Sequence, residues 1–233
     1  MMKRTLIIAG IVLLIIVTGS YVYKEYKEIK KTAAILDKLK GGKFPEVKYT
    51  PLDGLKDGDI VFQQSLSGQS QAIQLATHSV YTHCGILYKN DNNYFVFEAV
   101  EPVKLTLLTE WMGKGKGGDF KVKRLKDADK ILTGPVIKKM KQIGEQLKGR
   151  HYDPFFEWTN DRLYCSELVW KIYKDATGLE IGRLQQLSDF DLTDPIVKQK
   201  LRERYGKKIP LHETVISPAS IFNSERLVSV QGF

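Results

Sequence analysis

The 233-residue chain carries 36 Lys and Arg against 27 Asp and Glu, a net charge of +9, and is 42% hydrophobic. That apolar share supports a folded core and excludes a disordered chain, while the excess of cations suits anionic partners or a solvated surface. Two cysteines, Cys84 and Cys165, with no Cys-x-x-Cys pair, exclude a disulfide scaffold, and four scattered histidines give no metal signature, so neither a metal nor a cofactor is expected.

The chain opens with "MMKRTLIIAGIVLLIIVTGSYVY": two basic residues, then an apolar run from Leu6 to Val17, with no charge between Thr5 and Tyr23. The run is long for a signal-peptide core and just sufficient for a spanning helix. Residues 1–23 therefore read as a signal-anchor, with a cleaved signal peptide as the alternative. The bulk of the chain is expected outside the cytoplasm, periplasmic or extracellular, and secreted if the signal is cut. Residues 24–43 follow as a juxtamembrane helix with a narrow apolar stripe, broken by Gly41-Gly42. A single folded domain is expected over residues 44–233.

Within that domain, Asp57-Gly58 signals a turn into a strand at Ile60-Val61-Phe62. A short helix is predicted from Gln69 to Thr77. Two strands, "VYTHCGILY" and "YFVFEAV", are separated by the polar "KNDNN". The segment "GKGKGG", Gly113 to Gly118, lacks the Gly-Lys-Ser/Thr ending of a phosphate loop and reads as a flexible basic surface loop. A helix is predicted over "GPVIKKMKQIGEQLKG", with Pro135 at its start and Gly149 past its end. The next carries Cys165, Leu168, Val169, Ile172, Tyr173 and Ala176 on one stripe. "DPIVKQKLRERYGKK" reads as a solvated helix end and loop, "SPASIFNS" as a short helix, and "RLVSVQ" as a last strand. The fold class is α+β, an antiparallel sheet packed against helices.

Cys165 stands at the start of its helix, facing inward, where unpartnered N–H groups and the helix dipole favour a thiolate. A base is found by strand geometry. On the first strand of the hairpin, Tyr81, His83, Gly85 and Leu87 share one face; on the second, Tyr94, Val96, Glu98 and Val100 do. A loop closing symmetrically about Asn90-Asp91 pairs Tyr88 with Asn93 and sets His83 directly opposite Glu98. Taken singly, each has a structural explanation: a small buried thiol, a half-buried histidine, and the carboxylate that satisfies it. Together they are the parts of thiol nucleophilic catalysis: nucleophile, base and orienting carboxylate. Cys84 points to the opposite strand face from His83 and reads as a core residue. His78, His151 and His212 have no carboxylate placed by so simple a register.

The stretches "LKDGDIVFQQSLSGQSQAIQLATHSVYTHCGILYK", "YFVFEAV", "YDPFFEWTNDRLYCSELVWKIY" and "SPASI" resemble the YiiX/YebB-like family, permuted papain-like cysteine hydrolases of the NlpC cell-wall peptidase superfamily. The family's His-Val-Gly-Ile reads His-Cys-Gly-Ile here. The resemblance implies a circularly permuted papain-like fold, with Cys165 as nucleophile, His83 as base and Glu98 as orienting residue. It further implies cleavage of amide bonds in bacterial wall peptides. Relatives in the permuted branch also act on lipid acyl groups, so a thioesterase, acyltransferase or lipid amidase is the alternative; a non-catalytic anchored binding module is the third reading. The Cys165 N–H would supply one oxyanion donor. The second is sought in Gln63 or the "SLSG" loop, and Tyr152, Phe155, Phe156 and Trp158 in the cleft wall or the core. The expected partners are a peptide or lipid-amide substrate and the membrane through the N-terminal helix. No nucleic acid is expected, because basic and aromatic residues do not interleave.

Overall fold

The computed structural model describes residues 52, 54–91 and 93–232. The expected anchor over 1–23, the juxtamembrane helix over 24–43 and the start of the domain at 44 lie outside the described residues. In chain order the elements are β1 (Ile60–Gln63), α1 (Ser70–Thr77), β2 (His83–Asn90), β3 (Asn93–Glu98), β4 (Lys104–Leu107), α2 (Leu108–Gly113), β5 (Lys121–Leu125), α3 (Ala128–Ile131) and α4 (Gly134–Leu147). They continue with β6 (His151–Tyr152), β7 (Arg162–Leu163), α5 (Cys165–Thr177), β8 (Gln185–Gln186), α6 (Pro195–Tyr205), β9 (Thr214–Val215), α7 (Pro218–Phe222) and β10 (Leu227–Ser229).

Six strands form one antiparallel sheet in the order β10-β5-β1-β2-β3-β4. Side-chain alternation gives it two buried faces. Ile60, Phe62, Cys84, Ile86 and Phe97 pack with α4 and α5, while Val61, Leu87, Val96 and Val122 pack with Leu108 and Trp111 of α2. The stripe Leu168, Val169, Ile172, Tyr173 predicted for α5 is buried as read; truncating Leu168 to Ala at such a site costs about 2–5 kcal/mol. A third apolar cluster joins Ala72 of α1 to Val197 and Leu201 of α6. The tract over α6, read as solvated, is thus amphipathic, and its inward side chains matter below.

The Asp-Gly-Asp turn is a clasp. Gly58 has φ +87°, and a Cβ there would sit 2.8 Å from Leu132 Cδ1. Its carbonyl accepts the Tyr173 hydroxyl of α5. Asp59 takes a two-pronged bond from Arg124 at 2.7 Å for each prong, tying β1 to β5. Among the described residues no helix is long and apolar enough to cross a membrane.

The hairpin differs from expectation. Asn90 pairs Asn93 and Ile86 pairs Phe97, so β2 and β3 are joined by a two-residue loop rather than a four-residue one. Asp91 takes φ +51°, the left-handed conformation that short hairpin loops need. The register therefore slips by two, and His83 is not directly opposite Glu98. A slip of two preserves the face each residue occupies, whereas a slip of one would have reversed it.

Candidate active site

His83 is the first residue of β2 and Glu98 the last of β3, so both stand at one end of the hairpin as diagonal neighbours. Long side chains bridge that diagonal. His83 Nε2 lies 2.5 Å from Glu98 Oε2. Gly85, on the same face, keeps the space open: a Cβ there would collide with Val96 Cγ1 and come within 2.8 Å of the Phe97 carbonyl oxygen.

Glu98 is fully buried. The Thr106 hydroxyl of β4 donates to Oε1 at 2.6 Å, and the Lys114 ammonium lies 3.6 Å away. Burial opposes its charge, but the bonds and charges of His83, Thr106 and Lys114 outweigh it and hold the carboxylate below its usual range. Lys114 belongs to the Gly/Lys-rich segment read as a flexible surface loop. That segment is anchored: Lys116 N–H donates to the Gln64 carbonyl at 2.9 Å, and Leu66 N–H to the Lys114 carbonyl at 3.2 Å. The Trp111 ring covers the imidazole at a centroid distance of 6.1 Å.

Cys165 opens α5. Ser166 Oγ donates to the Ile216 carbonyl at 2.7 Å, and Ile216 N–H donates to the Tyr164 hydroxyl at 3.1 Å, so the segment before α7 clamps the helix start. Glu167 Oε2 accepts from Tyr164 N–H at 3.3 Å, leaving the Cys165 N–H free of that bond. With Nε2 committed to Glu98, His83 lies near enough to Cys165 for each to shift the other's titration. The Cys165 thiol is held well below its usual range. A hydrogen bond from the Cys84 thiol contributes most; burial opposes it, and the His83 bond and charge add to it. Burial alone would lower His83, but its bonds to the Cys165 sulfur and Glu98 push it up to about 10. Both shifts favour the thiolate–imidazolium form over the neutral pair.

The three residues singled out by sequence are thus brought together. Cys84 is a core residue, fully buried, as read from the strand. Thr106 and Lys114 carried no sequence signal of this role. The other histidines do find partners at the surface: His151 lies 2.7 Å from Glu101, His78 3.3 Å from Asp191, and His212 3.3 Å from Gln186. No thiol joins any of these contacts. Among the described residues, no group of three or more His, Cys, Asp or Glu side chains could hold a metal ion.

Two hollows meet at the Cys165–His83 line. The first, about 800 Å3 with part of it open to solvent, ends on Cys165 and is walled mainly by apolar residues of α1 and α6, among them Ala72, Ile73, Val197 and Leu201. The second lies on the His83 side; apolar atoms make up most of its wall, and polar and charged side chains, among them Gln63, Ser65, Glu101, Lys114 and Arg162, border it. Gln69, Thr82 and Tyr152 border both. Tyr152 accepts a hydrogen bond from Gln69 Nε2 at 2.6 Å, and Arg204 donates to Gln69 Oε1 at 3.1 Å. Burial, then the nearby Cys165 charge, pushes the Tyr152 phenol up, so it keeps its proton. Phe156 joins the apolar wall, Phe155 is exposed, and Trp158 packs on Trp170.

A family model described as "permuted papain-like amidase enzyme, YaeF/YiiX, C92 family" matches residues 54–231, which include every residue of this site. The chain belongs to the C92 family of permuted papain-like amidases. It is 47% identical over 173 residues to the uncharacterized protein YiiX of Escherichia coli strain K12, covering 74% of this chain and 84% of that protein. Among solved structures it is similar to one described as metalloprotein YiiX from Escherichia coli O157:H7, with a TM-score of 0.72 and 47% identity. That likeness covers 75% of this chain and 96% of the other. The permuted papain-like fold expected from the sequence is therefore established, and with it the broad activity of an amide-bond hydrolase.

Proposed function

We propose that the chain hydrolyses amides through a Cys165–His83–Glu98 relay, and that its substrate joins an apolar acyl arm to a polar amine arm. The observation that carries the substrate class is the apolar hollow ending on Cys165, with a second cleft beyond His83 that charged side chains border. Wall peptides, the first expectation, are polar along their length and have no use for such a wall; the lipid-derived amide is the better fit.

In this reading the acyl arm lies against α1 and α6 and the scissile carbonyl sits over the sulfur. The Cys165 thiolate attacks the carbonyl carbon. The oxygen takes the negative charge and faces the Cys165 N–H and the Tyr152 hydroxyl, which Gln69 and Arg204 hold in place. Tyr152 thus replaces Gln63 and the "SLSG" loop as the second donor. His83 gives its proton to the departing amine, which leaves into the second cleft. Neutral His83 then takes a proton from water, the hydroxide opens the thioester, and the carboxylic acid departs as thiolate and imidazolium re-form. Glu98 fixes the ring and stabilises its charge throughout. The apolar run from Leu6 to Val17 supports placement of this domain outside the cytoplasm on a membrane anchor, beside such substrates.

The test is a panel of long-chain acyl amides, short-chain acyl amides and purified wall peptides, with mass spectrometry of the products. Long-chain amides should be cleaved fastest, Cys165→Ala should abolish turnover, and Ala72→Phe should slow the long-chain amides at least tenfold more than the short. Faster cleavage of wall peptides would overturn the substrate class; turnover by Cys165→Ala would overturn the mechanism.

A further inference from the structure

The helix that walls the apolar hollow carries a second surface. Val197 and Leu201 of α6 are buried with Ala72 of α1 and line the hollow. Lys200 and Arg204 border it as well, and both are engaged. Lys200 pairs with Glu203 at 2.7 Å, while Arg204 donates to Gln69 Oε1 at 3.1 Å and lies 4.4 Å over the Phe156 ring. The outer side of α6 carries Lys198 and Arg202, one turn apart, and Lys207 and Lys208 follow past its end. All four are exposed, and among the described residues none of them makes an ion pair. Glu203, the one acid between positions 195 and 208, is taken up by Lys200 and Gln199. Two exposed apolar side chains flank this basic strip: Phe155, whose carbonyl accepts the Tyr205 hydroxyl, and Leu211, just past Lys208.

We propose that the outer face of α6 docks on an anionic lipid bilayer and so sets the hollow against the lipids from which its acyl arm is drawn. A strip of cations without carboxylates is attracted to anionic headgroups, and apolar side chains at its margins gain by sinking below them. A soluble polyanion satisfies the cations but gives Phe155 and Leu211 nothing. The same helix serves both ends: its inner side chains wall the hollow, so the surface that meets the headgroups adjoins the cavity for the chain. That matters because every methylene exposed to water on the way opposes the transfer. The apolar run from Leu6 to Val17, read as an anchor, would hold the domain beside such a surface, where a modest attraction per charge is enough.

The test reads docking without turnover. The full chain is placed in vesicles with Cys165→Ala, so that a fluorophore attached through Leu211→Cys meets no other accessible thiol, Cys84 being fully buried. Quenching by a lipid-borne quencher is measured on phosphatidylglycerol and on phosphatidylcholine vesicles, and again with the label at Leu105→Cys, exposed on edge strand β4. The label at 211 should be quenched on phosphatidylglycerol alone, and the label at 105 on neither. Salt at about 1 M, where the screening length falls to about 3 Å, should release it. Lys198→Gln with Arg202→Gln should lower the docked-to-free ratio about 25-fold, about fivefold for each cation removed. Both side chains are exposed, so the fold should be kept. Equal quenching on the two lipids or at the two positions, or a ratio unmoved by the double variant, would overturn the docking face. Retention on soluble polyphosphate through these cations, with no quenching on either vesicle, would overturn the bilayer as the occupant. The loading role rests on the lipid-amide reading and is measured apart, with the wild-type chain: long-chain amides should be cleaved faster from phosphatidylglycerol than from phosphatidylcholine vesicles. Docking with equal rates would overturn the loading role alone; docking with no cleavage of long-chain amides would overturn the substrate reading with it.

Discussion

Glu98→Gln separates the charge of the orienting residue from its shape. Glu98 is buried, accepts the Thr106 hydroxyl at 2.6 Å, and holds His83 Nε2 at 2.5 Å. Glutamine fills the same volume and keeps the Thr106 bond through its amide oxygen. What it loses is a charge-assisted bond, about 1.5–3 kcal/mol, replaced by a neutral one of about 1 kcal/mol. The difference, roughly 0.5–2 kcal/mol, is about 2- to 30-fold in the thiolate–imidazolium population. Two further effects act in the same direction. An amide N–H turned toward Nε2 demands an unprotonated nitrogen there and so opposes the imidazolium. The Lys114 ammonium, 3.6 Å from the carboxylate, loses the charge that offsets it. The expected outcome is a fall in kcat/KM of about 10- to 100-fold, with the Cys165 alkylation profile moved to higher pH and the melting temperature little changed. A Glu98→Gln enzyme with wild-type kcat/KM and an unmoved profile would refute the relay. A variant that merely unfolds would show in the melt, and Thr106→Val, which removes one bond from the same carboxylate, should then give a smaller loss of the same kind.

Two other outcomes follow from the same geometry. Gly85→Ala places a methyl against Val96 and the Phe97 carbonyl, so a calorimetric melt should drop by about 2–10 °C, from roughly 1–3 kcal/mol of overpacking, with kcat falling as Glu98 is displaced. Activity should hold on a plateau bounded below by the lowered thiol and above by His83, and should fall as pH rises through about 10. Stability has the same upper limb. A group raised on folding contributes fully below its unfolded value, about 6.5 for histidine, and loses that contribution as pH rises through its folded value. In Cys165→Ala, which removes the sulfur's bond and charge, the alkaline loss in a melting-temperature series should begin at lower pH; an identical series would refute the pairing.

The sequence made the site legible where one period decides geometry. Alternation put His83 and Glu98 on one face, which needs only a loop of even length, and the 3.6-residue stripe turned Cys165 inward, which needs no loop at all. The pairing was misplaced by two because "KNDNN" offers two ways to close, and only folded coordinates place the left-handed residue at Asp91. Thr106 and Lys114 were invisible for a different reason. Each reaches Glu98 from a segment whose position is set by long-range packing: β4 at the sheet edge, and a loop bonded to residues 64 and 66. The same holds for the apolar hollow. The charges of α6 dominate its sequence, and Val197 and Leu201 reveal their purpose only once α1 is opposite them.

Cys84 carries the most general point. Alternation correctly turned it away from His83, and from that came the inference that it stands apart from the chemistry. The step fails because the reacting groups do not all belong to one face. His83 and Glu98 are supported by the α2 side, with Trp111 over the imidazole, while Cys165 is carried by α5 on the other side. They meet because His83 is the first residue of its strand, where the sheet ends and a side chain from one face can reach round to the other. A nucleophile on one layer and its base on the other leave open space on both sides of the bond to be cut. This is why the apolar hollow and the second cleft converge there, one for each arm of an amide. The residue after the base in β2 then faces the α5 layer that carries the nucleophile, and Cys84 is buried in the same apolar cluster as Cys165.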